Sequence, residues 1–227
     1  MPAKGFWTRR RALRLALNGV PLLFAATLLA PQLLFFPYAA RAGTWDIRSE
    51  QPIPPSIARV VARADALLAA SPINQPQPRQ IFLTDGGWRW HVLAVRSADS
   101  FGLTRPVGEA IIINRSDVTA DRVRNGREPG GERSLSGTIA HEATHGLLRA
   151  RYGIIAAARM PRWQVEGYCD HVAQESSLDD ATARALLAAG RDHPALPYWQ
   201  GRRRVAELLR QTGGDVDAVM QAENQLR

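Results

Sequence analysis

Cysteine is nearly absent from this chain of 227 residues. Cys169 is the one cysteine, so no disulfide can form within the chain and the fold depends on packing. The roughly 185 residues that follow position 40 are enough to bury a single core. The sequence also lacks internal repeats, which excludes the repeat architectures.

Charged side chains are absent from residues 15–40, whereas the preceding flank, residues 1–14, holds Lys4 and four arginines. As a helix, the apolar run would be about 39 Å long, enough to cross a hydrocarbon core of about 30 Å. Three prolines interrupt it, and Ala40-Arg41-Ala42 resembles a signal-peptidase site. The run is therefore an uncleaved transmembrane signal anchor, which its length favours, or a signal peptide whose removal releases a secreted domain. Both place the flank in the cytoplasm and the rest of the chain outside it, in the periplasm.

The net charge of +8 does not predict a nucleic-acid partner, because the excess lies mostly in the flank. Five of the 29 basic residues precede the apolar run and no acidic residue does, which leaves 24 basic against 21 acidic residues. Arg202-Arg203-Arg204 remains as a local cluster. On a helix such a cluster is usually a solvated face, and contact with anionic lipid or a substrate carboxylate is the alternative.

Histidine is scarce as well, yet two of the five histidines lie in His141-Glu142-Ala143-Thr144-His145. Residues i and i+4 of a helix share a face, so both imidazoles can bind one metal ion at about 2.0–2.1 Å. Glu142 would point toward water at the open metal position and take its proton. The flanks predict a half-buried helix that begins near Ser134 or Ser136 and ends at Gly153. The pattern therefore predicts a Zn²⁺ site on a helix.

A hydrolytic zinc site needs a third protein ligand, and Glu166 is the leading candidate. It follows His145 by 21 residues, which leaves room for a second helix to return across the metal. Asp170 lies one turn later on the same face and could accept the free ring N–H of a ligating histidine. His171 lies about 140° round that helix from Glu166, so it is an alternative ligand. Cys169 could reach the metal too, although a lone buried cysteine is more often a core residue.

The His-Glu-x-x-His segment is followed by Trp163-x-x-Glu166-Gly167 and by Glu166-x-x-x-Asp170. This combination resembles the gluzincins, the zinc peptidases that include thermolysin and the zinc aminopeptidases, over residues 134–171. The resemblance implies that Glu142 is the general base and acid and that Asp170 orients a ligand. It implies a zinc ion bound by His141, His145 and Glu166.

Tyr198-Trp199-Gln200-Gly201 is similar to a segment of the aminopeptidase-type gluzincins, with a shorter gap from Glu166. There the tyrosine hydroxyl stabilises the oxyanion, which implies a catalytic role for Tyr198; an aromatic anchor for a helix is the alternative. His193, in the preceding loop, could act in the same way or be an ordinary loop histidine. His91, on a predicted strand, is interpreted as structural.

Hydrophobic periodicity predicts a compact, zincin-like α+β domain over residues 56–227, with a small mixed sheet among helices. Residues 41–55 are interpreted as a linker that leads into a first strand. Besides the two zinc helices, helices are predicted over Ile57–Ala70, 178–190, 198–212 and 215–224. Strands are predicted over Ile81–Leu83, Trp88–Val95 and Ala110–Ile113, and an exposed loop over 117–133.

In zincins, an edge strand above the active-site helix binds an extended peptide through main-chain hydrogen bonds. Residues 109–114 are the candidate for this strand, so Glu109, Ala110 and Ile111 are predicted to bind substrate; an ordinary buried strand is the alternative. Together the patterns predict a monomeric, membrane-anchored zinc metallopeptidase acting on a peptide or protein substrate. Two alternatives are a non-catalytic zinc protein of the envelope that binds a partner in the same groove, and a metal-free basic protein acting at a membrane or nucleic-acid surface.

Overall fold

The computed structural model describes residues 19–222. The predicted cytoplasmic flank, residues 1–14, and the start of the apolar run lie outside this range. Residues 19–29 form helix α1, and a short 3-10 helix follows at Pro31–Leu34. Within the described range, every helix falls short of the length and apolarity that crossing a bilayer requires. Residues 38–40, which were predicted to end the apolar run, already belong to the first strand of the domain.

A mixed sheet of five strands forms the centre of the domain, as the sequence predicted in outline. The strands are β1 (Tyr38–Ala42), β2 (Trp45–Ser49), β3 (Arg79–Leu83), β4 (Gly102–Thr104) and β5 (Ile111–Ile113), in the order β1-β2-β3-β5-β4. β2, β3 and β5 run parallel to one another, whereas β1 and β4 pair antiparallel at the two ends. The prediction of an edge strand at residues 109–114 is therefore wrong. β5 lies between β3 and β4, so the edge strand at this end of the sheet is β4.

The remaining helices are α2 (Ile57–Ala69), α3 (Trp88–Ala94), α4 (Leu135–Tyr152), α5 (Ile154–Arg159), α6 (Arg162–Val172), α7 (Asp180–Ala188), α8 (Leu196–Gln211) and α9 (Val216–Gln221). The predicted helices are present with shifted ends, and α5 is an addition. The last predicted helix, 215–224, extends beyond the described residues. The helices and the small sheet make a mixed α/β domain.

The prediction of a strand at Trp88–Val95 is wrong, because this segment is helix α3. Its buried side chains are Trp90, Leu93 and Ala94, while Trp88 and Val95 are exposed. Intervals of three and four residues are those of a helix face and not of a strand. The aromatic and β-branched composition, which favours strands, was misleading here because the buried face sets the structure.

The predicted exposed loop at 117–133 is also partly wrong. A three-stranded antiparallel sheet spans most of it, with β6 at Ser116–Asp117, β7 at Arg122–Arg124 and β8 at Glu132–Ser134. Val123 at its centre is fully buried in the main core. Strands of two or three residues are too short for an alternating pattern to be recognised in a sequence rich in charge and glycine.

The central sheet is covered on both faces, which explains why the side chains of all three β5 residues are buried. Ile111 and Ile113 pack into the main core with α2 and α4, whereas Ile112 packs on the opposite face with Phe82 and Trp90 of α3. Helix α4 runs through the main core and contacts α2, α6 and β4. This central position fixes α4 firmly against the strand edge and the helix beside it.

Candidate metal centre

Helix α4 carries His141 and His145 on one face, and both of its ends are defined by capping residues. The Ser134 side chain accepts a hydrogen bond from the Gly137 backbone N–H at 3.1 Å, which satisfies an end group of the first turn. Gly153 ends the helix with a φ of 83°, a conformation that glycine adopts readily. Both sequence predictions for the ends are confirmed. The two imidazole rings lie with centroids 5.1 Å apart.

Glu166 reaches this pair from α6. Its Oε2 atom lies 3.3 Å from His141 Nε2 and 3.8 Å from His145 Nε2. Ligands held tetrahedrally at the usual zinc bond lengths are about 3.4 Å apart. The oxygen and the two nitrogens therefore have the separations expected of atoms that share one metal ion.

Asp170 holds the His141 ring in one orientation. Its Oδ1 lies 2.8 Å from His141 Nδ1, and it also pairs with Arg133 Nη1 at 2.9 Å. Ser176 donates a hydrogen bond to the other oxygen, Oδ2, at 3.0 Å. Burial raises the pKa of Asp170, but the Arg133 charge and the His141 hydrogen bond hold it below its ordinary value. The ionised carboxylate accepts the Nδ1 proton, so Nε2 is the ring nitrogen through which His141 could bind a metal.

The charges around the two rings favour a bound cation. Burial lowers the pKa of His141, but hydrogen bonds to Asp170 and Glu166 outweigh it and raise this pKa to about 10. Burial raises the pKa of Glu166, but the His141 hydrogen bond and the neighbouring His145 hold it below its ordinary value. Burial lowers the pKa of His145, which keeps that ring neutral. A proton or a metal ion can balance the carboxylates, and the donor set fits a metal.

Cys169 lies on the far side of the His145 ring. Together with His141 and His145 it forms a largely buried group that could hold a metal ion. Its Sγ, however, is 3.5 Å from His145 Nδ1, whereas Glu166 faces His145 Nε2. A ring binds a given ion through one nitrogen, so Glu166 and Cys169 belong to different sides of His145. Burial raises the pKa of the thiol well above its ordinary value, which keeps it protonated and makes it a poor ligand.

Glu142 is buried and lies against strand β4, through a contact that the sequence analysis missed. The Thr104 hydroxyl lies 2.8 Å from Glu142 Oε2 and 2.7 Å from the Glu142 carbonyl oxygen. A Cβ at Gly102 would come within 3.1 Å of Glu142 Cγ, so glycine leaves room for this side chain. The edge strand therefore positions the carboxylate that follows the first histidine.

The metal centre opens into a cleft of about 700 Å³. Tyr198 and His193 line this cleft with both histidines, Glu142 and Glu166. Tyr198 is half-buried on α8, and its hydroxyl accepts a hydrogen bond from Arg162. Burial and the Glu166 charge raise the pKa of Tyr198, so the hydroxyl keeps its proton. His193 Nδ1 accepts the Ala195 backbone N–H at 3.2 Å, an ordinary contact of a loop histidine.

No family model, curated protein or solved structure matches the chain. The resemblance to gluzincins therefore rests on short motifs alone, those between residues 134 and 171 and the Tyr198-x-x-Gly201 segment. The chemistry of the centre has to follow from its donor atoms, their distances and their charges.

Other predicted site residues lie apart from the metal centre. Ile111 is paired with β3 on one side and β4 on the other, and the Ala110 carbonyl accepts a hydrogen bond from the Arg105 backbone N–H, so this segment does not offer the free strand edge that was predicted to bind substrate. Glu109 instead forms an ion pair with Arg149 on α4, at 2.9 Å between Oε1 and Nε. His171 stacks on Tyr168 and lines a separate cavity of about 230 Å³. The structure therefore places the alternative ligand His171 away from the cleft.

Proposed function

We propose that this chain is a zinc-dependent peptidase of gluzincin type, with Zn²⁺ bound by His141, His145 and Glu166. The observation that carries the proposal is the approach of both histidine Nε2 atoms to the same Glu166 oxygen, at 3.3 and 3.8 Å. Two imidazoles and one carboxylate that leave the fourth position open are a ligand set of catalytic zinc. The cleft on the open side gives a substrate access to that position.

The chemistry is divided between the metal and the buried side chains around it. A zinc ion held here would polarise the scissile carbonyl and bring the pKa of water to about 7. Glu142 accepts the proton of the attacking water and delivers it to the departing amine. Thr104 keeps the Glu142 carboxylate turned toward the reacting atoms. Tyr198, whose hydroxyl remains protonated in the cleft wall, donates to the oxyanion.

Strand β4 supports a peptide as the substrate. Among the described residues it pairs only with β5, so one of its edges is unpaired, and Gly102, Leu103 and Thr104 all line the cleft. An extended peptide can add to such an edge through main-chain hydrogen bonds. The strand then holds the scissile bond beside Glu142. Membrane attachment and an extracytoplasmic location, predicted from residues 15–40, remain part of the proposal.

The test measures metal content and peptide hydrolysis on the full chain in detergent. Wild type should contain about one zinc per chain by elemental mass spectrometry and should cleave members of a random peptide library. Glu142→Gln should keep the zinc and lose at least about 100-fold in rate, because it removes the base alone. Glu166→Ala should lose the zinc, whereas Cys169→Ala should retain it, because the thiol lies on the other side of His145.

Each outcome separates this proposal from an alternative. If Glu166→Ala retained zinc and Cys169→Ala lost it, the ligands would be His141, His145 and the Cys169 thiolate instead of the proposed set. Zinc without turnover in wild type would favour the non-catalytic partner-binding protein. Unchanged hydrolysis in Glu142→Gln would contradict the mechanism.

A further inference from the structure

Arginine side chains line the cleft around the metal centre in unusual number. Three of them have a carboxylate partner: Arg133 pairs with Asp170, Arg149 with Glu109, and Arg127 with Asp99. Two more, Arg96 and Arg162, line the same cleft. Their partners decide whether the cleft has positive charge available for a ligand.

Arg162 has no carboxylate partner among residues 19–222. Its guanidinium donates a hydrogen bond to the neutral hydroxyl of Tyr198 and lies 4.9 Å from the centroid of that ring. It is the first residue of α6, where the helix dipole already places positive partial charge. It also precedes Glu166 by one helical turn, so it lies beside the metal ligand. A cation at this helix end is unfavourable for the helix itself, yet the side chain lines the cleft.

Arg96 follows helix α3 on another part of the cleft wall. Within the described residues it makes neither a hydrogen bond nor an ion pair, and it is exposed. The acidic residues that line the cleft cannot neutralise these two arginines, which lack a carboxylate partner. Glu142 and Glu166 belong to the metal centre, and Asp99 is paired with Arg127. A bound metal would add further positive charge, and a cleft focuses such a field onto entering ligands.

We propose that the cleft selects peptides that carry a carboxylate near the scissile bond, and that Arg162, assisted by Arg96, binds this carboxylate. This inference rests on the proposed peptidase function. A guanidinium presents a planar fork of N–H donors that matches the two carboxylate oxygens. The carboxylate comes from an aspartate or glutamate side chain or from the C-terminus of the substrate. The chemistry is the same in both cases, and the substrates of the test distinguish them.

The test uses pairs of internally quenched alanine-rich peptides that differ only in one charge. One pair contains Glu or Gln next to the scissile bond, and the other ends in a free carboxylate or a carboxamide. Zinc-loaded full chain should cleave the carboxylate member about tenfold faster in kcat/KM, and the advantage should fall with added salt. Arg162→Gln should reduce this ratio toward one, and Arg162→Lys should restore part of it. Arg159→Gln, an exposed arginine outside the cleft, should leave the ratio unchanged.

A binding measurement gives the same comparison without turnover. Zinc-loaded Glu142→Gln protein is titrated with the four peptides by fluorescence anisotropy, with and without Arg162→Gln and Arg96→Gln. Tighter binding of the carboxylate members that is lost in the double variant supports the proposal. Equal affinities and equal cleavage within each pair would overturn it while leaving the peptidase function intact. Carboxylate-dependent binding without cleavage of any peptide by wild type would contradict the peptidase function alone.

Discussion

Thr104 and Glu142 are separated by 38 positions in the chain, yet the threonine hydroxyl contacts both the carboxylate and the carbonyl oxygen of the glutamate. One hydroxyl proton can serve only one acceptor fully at a time, so this contact restrains the carboxylate without locking it. A general base that has to accept a proton and then donate it benefits from such a partner. Thr104 is therefore a positioning residue for Glu142 that the sequence did not suggest.

We expect Thr104→Val to lower kcat about tenfold with little change in KM or zinc content. Valine has nearly the same shape but lacks the hydroxyl, so Glu142 loses its orienting hydrogen bond, an interaction of about 1–1.5 kcal/mol. Steady-state kinetics on one cleaved peptide, with elemental analysis of the metal, measures the effect. Thr104→Ser is the matched control and should restore most of kcat. A Val variant with wild-type kcat would show that the hydroxyl serves the strand alone.

The residues that form the proposed metal centre could be identified in the sequence because each lies in a short pattern with a fixed helical spacing. His141 and His145 share a helix face, and Glu166 and Asp170 share the next one. Thr104 and Arg133 could not be predicted in the same way. Their contacts with Glu142 and Asp170 join segments that are distant in the chain. Whether these segments meet depends on the pairing of β4 and the path of β8, which no local sequence pattern indicates.

At the scale of elements, the proposed ligand Glu166 and the orienting residue Asp170, both on α6, are held in place by the approach of α6 to α8. A Cβ at Gly167 would lie 2.5 Å from the Gly201 carbonyl carbon, and one at Gly201 would lie 2.9 Å from the Trp163 carbonyl oxygen. Two glycines therefore allow the helix backbones to touch. Gly201 is also the last residue of the Tyr198-x-x-Gly201 pattern, so the same contact brings Tyr198 to the cleft.

We expect Gly167→Ala to destabilise the protein by about 1–3 kcal/mol, because the new methyl group meets backbone atoms that cannot move independently. Glu166 and Asp170 flank this contact on α6, so zinc affinity should fall with stability. Calorimetry and competition with a chelator measure the two effects. Gly146→Ala on α4 is the control, because its Cβ meets only the movable Glu109 carboxylate. If the two variants behaved alike, the helix contact would not control the metal centre.

Element boundaries were predicted well where burial repeats over several turns, as in α2 and α4, and poorly in short segments. α3 and β4 show why. Residues 88–95 include two tryptophans and two valines and match a strand by composition, whereas Gly102-Leu103-Thr104 matches no pattern. The structure of α3 is set by the face that it buries, and that of β4 by its pairing with β5. Neither of these tertiary contacts can be identified from the local sequence.

At the scale of the whole molecule, the C-terminal helix α9 is joined to the end of α4 by charge. Asp217 accepts hydrogen bonds from Arg151 and from the Tyr152 hydroxyl. Gln164 of α6 donates to the carbonyl oxygens of Val219 and Ala222. The last described residues are thereby attached to both helices that carry the proposed metal ligands.

Acid should weaken this attachment in a defined range of pH. Hydrogen bonds from Arg151 and then Tyr152 lower the pKa of Asp217 to about 2, from an ordinary value of 3.8. A carboxylate whose pKa is lower in the folded state stabilises the fold fully above the unfolded pKa, and this contribution is lost as the pH falls through the folded pKa. Asp217→Asn should therefore have a lower Tm than wild type at neutral pH.

We expect the difference in Tm to be constant above about pH 5 and to shrink between about pH 4 and 2. Thermal unfolding followed by circular dichroism at a series of pH values measures it. Asp192→Asn, at an exposed loop position, is the control and should match wild type throughout. A difference that persisted unchanged to pH 2 would assign the effect of Asp217→Asn to something other than its charge.

If the chain is cleaved at the predicted signal-peptidase site, the position of β1 would couple that cleavage to folding. Five residue pairs, from Tyr38 with Ser49 to Ala42 with Trp45, join β1 to β2, and the Ala40-Arg41-Ala42 segment lies within them. A processing enzyme that acts on the unfolded chain would cut this segment away and leave β2 with an unpaired edge. If the sheet forms first, the main chain of residues 40–42 is already paired with β2 and is not accessible to the processing enzyme. The order of cleavage and folding would then determine whether the central sheet has four or five strands.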